Sequence, residues 1–369
     1  MSNLLVIHNV VTDHNIILQY KIELKMFKFE TLTSVNNPKS VHGMYPYRGK
    51  ISSIDAQKII GQFDRNSILL DPFCGSGTIL YEGAKFGMDV VGFDLNPVAV
   101  AIAEGKLNIP HQKDEMLSVA NTFIDKAKKV EGTKMLSTQA QFYFHSKSGE
   151  QIAAIASFYG DMPAYLKSCF MGAVCLTARG CNHYMWTSSS VGKNIEPKRF
   201  IDFYECFLNK LKKHFYPLEN NNAKIYYADA RQVSSKLPKN SVDYIFTSPP
   251  YFDCLDYTAY YAKIIYDIFD VKRDSIRDSL IQKFSTYEKS MKEVLDDLYL
   301  VCKPGAKIIF VVGDKKIHGK VINGAEFFNK LTPFKLLEVV ERTYTNSTSQ
   351  VFDEINKTAR KEQIIVWQK

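Results

Sequence analysis

The sequence of 369 residues has no uninterrupted apolar run near the length that crosses a bilayer. Its opening, Met1-Ser-Asn-Leu-Leu-Val-Ile-His8, lacks the basic stretch and small-residue cleavage site of a secretory leader. Seven cysteines, at 74, 169, 175, 181, 206, 254 and 302, form no C-x-x-C pair, and no His-x-x-x-His accompanies them. That spacing argues against structural zinc, and no metal site is expected. An odd cysteine count without a leader fits reduced thiols and a cytoplasmic location. Polar low-complexity runs and internal repeats are also missing, so neither long disorder nor a solenoid is expected.

With 46% hydrophobic and 23% charged residues, the chain can bury the core of one large domain, or of one domain carrying an insertion. The formal charge of +8 is compatible with a polyanionic partner, although lysine-rich composition alone does not require one.

One stretch organises the rest, Ser67-Ile-Leu-Leu-Asp71-Pro-Phe-Cys-Gly75-Ser-Gly77-Thr78. An apolar run ends in an acid, two glycines make a tight turn, and a helix follows over Thr78–Phe86, ended by Gly87. The third glycine of a dinucleotide loop is absent, since Leu80 stands there, and so is the Gly-Lys-Ser/Thr ending of a phosphate loop. The loop suits a nucleoside ligand without a phosphate chain. Asp89–Asp94 reads as a second strand ending in an acid, 17 residues beyond Gly77, suited to a ribose diol. A helix-capping role for Asp94 is the alternative, because Asp94-Leu-Asn96-Pro97 also resembles a helix start, with Pro97–Leu107 helical.

Upstream, Tyr45-Pro-Tyr47-Arg48-Gly-Lys50 is either a loop closing over the far end of the ligand or a surface turn, and Ser52–Phe63 reads as a helix. Residues 108–222 break the strand–helix rhythm, with helical patterns at Asp114–Val130, Ser148–Tyr159, Pro163–Ala178 and Phe200–Phe215. The loop between the last two carries Trp186, Ser189, Lys193, Lys198 and Arg199, types suited to nucleic-acid backbone and bases. Lys212 and Lys213 are explained by the dipole at the end of their helix.

Alternation returns with strands ending at Asp229 and at Thr247-Ser248-Pro249-Pro250-Tyr251. Helical patterns over Tyr260–Phe269 and Leu280–Cys302 precede a fifth strand at Ala306–Val312. A short helix over Gly324–Lys330 and strands at Lys335–Glu341 and Gln363–Gln368 close the chain. The expected fold is α/β, a doubly wound, mostly parallel sheet with an antiparallel pair at one edge and its ligand at the strands' C-terminal ends. Asp71, Asp94, Asp229 and Ser248 then share that edge. Two prolines in succession lack N–H groups, so this corner offers only acceptors, beside a hydroxyl and a tyrosine face. A planar ring with an exocyclic amine matches it, and such an amine in duplex DNA would have to be flipped out.

The Asp71–Thr78 loop together with Thr247-Ser-Pro-Pro-Tyr251 resembles the cofactor and catalytic motifs of the amino-methylating DNA methyltransferases. The resemblance covers residues 42–107 and 224–312. It implies a Rossmann-like, seven-stranded-type methyltransferase sheet, S-adenosylmethionine as cofactor and double-stranded DNA as partner. By the same resemblance Tyr47, Lys50, Asp71, Phe73, Gly75, Gly77 and Thr78 would surround the methionine end. Asp94 and Leu95 would take the ribose, Asp229 and Ala230 the adenine, and Ser248, Pro249, Pro250 and Tyr251 the target base. Ser248 preceded by threonine is more typical of the cytosine-N4 branch than of the adenine-N6 branch.

The expected organisation is an N-terminal extension (1–41), a catalytic domain (42–107 and 223–369) and a helical insertion (108–222) that is a candidate DNA-recognition region. The expected role is the modification half of a restriction system, with a cognate endonuclease as partner. Alternatives are adenine-N6 methylation, RNA guanine-N2 methylation, against which Thr247-Ser248 argues, and a non-catalytic DNA-binding subunit.

Overall fold

A computed structural model describes residues 40–47, 51–178, 199–219, 221–250, 256–259, 261–317, 320–344 and 360–369. Parallel strands β1 (Ile68–Asp71), β2 (Asp89–Asp94), β3 (Ala223–Tyr227), β4 (Val242–Thr247) and β5 (Cys302–Gly313) form most of one sheet. A separate hairpin, β6 (Lys315–Ile317) and β7 (Lys320–Ile322), follows β5. The chain closes with β8 (Lys335–Tyr344) and β9 (Arg360–Gln368). The seven-stranded sheet has the order β3-β2-β1-β4-β5-β9-β8, and β9 runs antiparallel to both neighbours. The order reverses between β1 and β4, where a doubly wound sheet opens its ligand crevice.

The strands alternate between two apolar layers. Leu69, Val90, Ile309 and Val366 face one, while Leu70, Val91, Ile308 and Trp367 face the other. The first layer is covered by α1 (Ser53–Ile60), α2 (Thr78–Phe86) and α3 (Pro97–Leu107). It extends without a break through α4 (Lys113–Lys128), α5 (Thr138–Gln141), α6 (Ser146–Ala156), α7 (Ala164–Thr177), α8 (Phe203–Lys213) and α9 (Tyr261–Ile268). The helices of 108–222 therefore share the core of the sheet. Helix α7 is buried nearly all round, from Tyr165 to Thr177, as its apolar composition predicts.

The second layer is covered by α11 (Phe284–Val301) and α12 (Gly324–Leu331). The helix expected over Leu280–Cys302 begins four residues later, at Phe284. A helix, α10 (Arg273–Ser279), stops before Leu280, whose backbone is extended, and α11 begins at Phe284. The break frees Leu280 and Ile281 to reach the cleft described below. No helix among the described residues is long and apolar enough to cross a membrane. None of the described cysteines is in a disulfide.

Candidate functional site

The C-terminal ends of β1, β2 and β4 and the turn after β3 surround a cleft of about 650 Å³, counted out to its open mouth. Phe73, Gly75, Asp94 and Leu95 form one side of its lining, and Ala228, Asp229 and Ala230 another. Ser248 and Pro250 of the acceptor corner line the same space. The two motifs read from sequence thus meet in one cavity.

Gly75 has φ +49°, a conformation that disfavours side chains, and a Cβ there would stand 3.3 Å from the ring of Tyr47. Tyr47 lies on the cleft wall, beside the glycine turn. Burial raises its hydroxyl well above the ordinary tyrosine value, and the charge of Asp94 adds to that. Lys50 lies outside the described residues.

The Asp94 carboxylate accepts from the N–H of Gly75 and from the N–H of Asn96, both at 2.8 Å. Burial pushes its carboxyl up to about 6, against the pull of those N–H groups. The helix-capping role falls to Asn96, whose Oδ1 accepts from Val98 N–H at 3.0 Å and from Ala99 N–H at 3.4 Å. Asn96 also donates to the Tyr257 carbonyl and accepts from the Tyr266 hydroxyl, which ties α3 to the segment after the acceptor corner.

Asp71 does not line the cleft. It is buried behind the turn, where its Oδ1 accepts from the Thr247 hydroxyl at 2.6 Å and from Phe73 N–H at 3.2 Å. Burial pushes this carboxyl up to about 7, those two donors pull against it, and Asp94 adds to the rise. Gly77 and Thr78 start α2, with Thr78 buried, and they too stand away from the lining. Asp229 is on the wall, but Arg231 clasps its carboxylate through Nε at 3.0 Å and a terminal nitrogen at 2.5 Å. The sequence reading left out this neighbour of Asp229.

At the acceptor corner Ser248 is half-buried and Pro249 buried. The Pro250 carbonyl accepts from the Tyr287 hydroxyl of α11 at 2.6 Å. Tyr251, Trp186, Ser189, Lys193 and Lys198 lie outside the described residues, and Arg199 is exposed. Sequence reasoning missed Tyr257, Leu280, Ile281 and Tyr287. Each is apolar or aromatic in a helical or loop context, and only the tertiary arrangement brings it to the site.

The sequence profile described as D12 class N6 adenine-specific DNA methyltransferase matches residues 56–309. The chain belongs to that family, whose members use S-adenosylmethionine. Among characterised relatives, it is 38% identical over 80 residues to the type II methyltransferase M.MjaII of Methanocaldococcus jannaschii, covering 21% of this chain and 15% of that one. M.AvaI of Nostoc sp. is 19% identical over 289 residues, covering 68% and 60%. M.MvaI of Kocuria varians is 23% identical over 326 residues, covering 79% and 70%. The chain thus spans 15% of the length of M.MjaII and 60% of that of M.AvaI.

The cleft fits the cofactor chemically. S-adenosylmethionine has a diol, an adenine and a cationic methionine end but no phosphate. The site offers half-buried acidic acceptors at Asp94 and Asp229, apolar walls at Phe73 and Ile281, and no glycine-lysine phosphate grip.

Proposed function

We propose that the protein is a DNA methyltransferase that modifies an exocyclic amine of a base flipped out of the duplex. The observation that carries this reading is the acceptor corner, Ser248 and Pro250, lining the same cleft as Asp94 and the glycine turn. Bound there, S-adenosylmethionine supplies an electrophilic methyl group. The chain's own task is orientation and electrostatics. Tyr287 takes one lone pair of the Pro250 carbonyl and fixes its place, so the Ser248 hydroxyl and the second lone pair of that carbonyl serve as the acceptors for the amine's two N–H groups. Drawing both N–H groups aside favours tetrahedral nitrogen and frees its lone pair. Tyr251 supplies a stacking face in this reading. Asp71 is buried behind the corner and bonded to Thr247, so it is not the base that takes the proton. A strong base is unnecessary, because the nitrogen turns acidic once it has attacked.

Thr247-Ser248 supports the N4 of cytosine as the target. The second reading, the N6 of adenine, is supported by the family to which the chain belongs. The type II relatives support a place in a restriction–modification system with a cognate endonuclease, and the odd cysteine count supports reduced thiols and a cytoplasmic location. The basic loop with Trp186, Ser189, Lys193 and Lys198, followed by Arg199, is proposed to contact DNA. Transfer of tritium from labelled cofactor to duplex DNA tests the function, and Ser248→Ala should abolish transfer while cofactor binding persists. Label found in RNA alone, or full activity in Ser248→Ala, would contradict it.

A further inference from the structure

The segment 40–47 ends in Tyr47, which packs on Gly75, and the helical insertion holds it from behind. Lys210, buried on α8, donates from Nζ to the Gly43 carbonyl at 3.1 Å. His214, which closes α8, bonds through Nδ1 to the Ser40 carbonyl at 2.7 Å. A carbonyl can only accept, so Nδ1 carries the proton. On α7, Gly172 lies so close that a Cβ there would stand 2.1 Å from the Met44 carbonyl oxygen. From the opposite side, His42 shares a 2.6 Å hydrogen bond with Glu82 of α2, and its Nδ1 lies 3.4 Å from Lys106 Nζ of α3. Lys106 Nζ is also 3.4 Å from Ser76 Oγ in the glycine turn.

We infer that the helical insertion builds the cofactor cleft, with Lys210 and His214 as positioning residues that seat segment 40–47 so that Tyr47 closes on the glycine turn. A surface lysine that answered only the helix dipole would not be buried or point at a carbonyl 167 residues away. Burial lowers the Lys210 ammonium below its ordinary value, a cost the fold retains at this position. Without its donor the half-buried Gly43 carbonyl loses that partner, and the segment loses its registry against α8. The cofactor then meets a cleft whose Tyr47 wall is displaced. The inference concerns cofactor uptake and holds whichever base is methylated.

Calorimetric titration of the full chain with S-adenosylmethionine, paired with transfer kinetics and DNA binding, tests this. Lys210→Met is expected to weaken cofactor binding about tenfold, equivalent to about 1.4 kcal/mol. KM for the cofactor should rise with it, while kcat at saturating cofactor and DNA affinity stay unchanged. His214→Gln, which moves the donor away from the Nδ1 position, should do the same, and His214→Asn, which retains it, should restore binding. Lys212→Met, an exposed cation on the same helix, should change nothing. Thermal melting reports folding, and if Lys210→Met does not fold, the His214 pair decides. Unchanged cofactor affinity in the folded variants, an equal loss in Lys212→Met, or a loss confined to DNA binding would each overturn the inference. Absence of methyl transfer by a wild-type chain that still binds cofactor would instead count against the proposed function.

Discussion

Thr247 donates its hydroxyl to Oδ1 of Asp71 across 2.6 Å, joining the C-terminal ends of neighbouring parallel strands β4 and β1. Asp71 opens the cofactor turn and Thr247 immediately precedes Ser248. The bond therefore sets the register between the two halves of the site. Thr247→Val preserves shape and removes the donor, leaving a buried acceptor with Phe73 N–H. Urea denaturation should show a loss of about 1–3 kcal/mol, and Thr247→Ser should recover most of it. Equal stability in the valine variant would show that the bond contributes nothing.

Asp71 and Asp94 are both raised, to about 7 and about 6. Between about pH 4 and pH 7 the folded chain holds protons that the unfolded chain has released, so these two groups remove stability as pH rises through that window. A cationic ligand in the cleft favours the carboxylates and reverses this. Cofactor binding should tighten from about pH 5.5 to pH 7.5 and release protons, measured by calorimetry in buffers of different ionisation enthalpy. Binding that is flat with pH, without proton release, would contradict the placement of these acids.

Tyr287 is buried, packs on Phe327 and Phe328, and donates to Pro250. Tyr287→Phe keeps the ring and loses only the hydroxyl. Turnover should fall about tenfold, a barrier change of about 1.4 kcal/mol, with cofactor affinity intact. A fall in cofactor affinity with turnover unchanged would place Tyr287 elsewhere in the mechanism.

Much of this site was legible because its backbone is local. Apolar runs ending in Asp71, Asp94 and Thr247 carry their own strand periodicity, and helices over Thr78–Phe86 and Pro97–Leu107 end where glycine, proline and asparagine end them. What escaped notice is what only packing decides. Tyr287 and Lys210 look like ordinary members of amphipathic helices, and nothing local marks one lysine of Lys210, Lys212 and Lys213 as buried. The division of labour between Asp94 and Asn96 was open in sequence, because either side chain can cap α3. The geometry assigns the cap to Asn96 and leaves Asp94 to the cleft. The break at Leu280 was hidden by residues that continue a helical pattern equally well.

The central claim is that the Ser248–Pro250 corner presents an exocyclic amine. Mass spectrometry of nucleosides digested from DNA treated with this protein and a deuterated-methyl cofactor tests it most directly. The account predicts label on a base amine, as N4-methylcytosine, with N6-methyladenine the outcome of its second reading. Label on a ring carbon such as C5 of cytosine, or no labelled nucleoside at all, would contradict it.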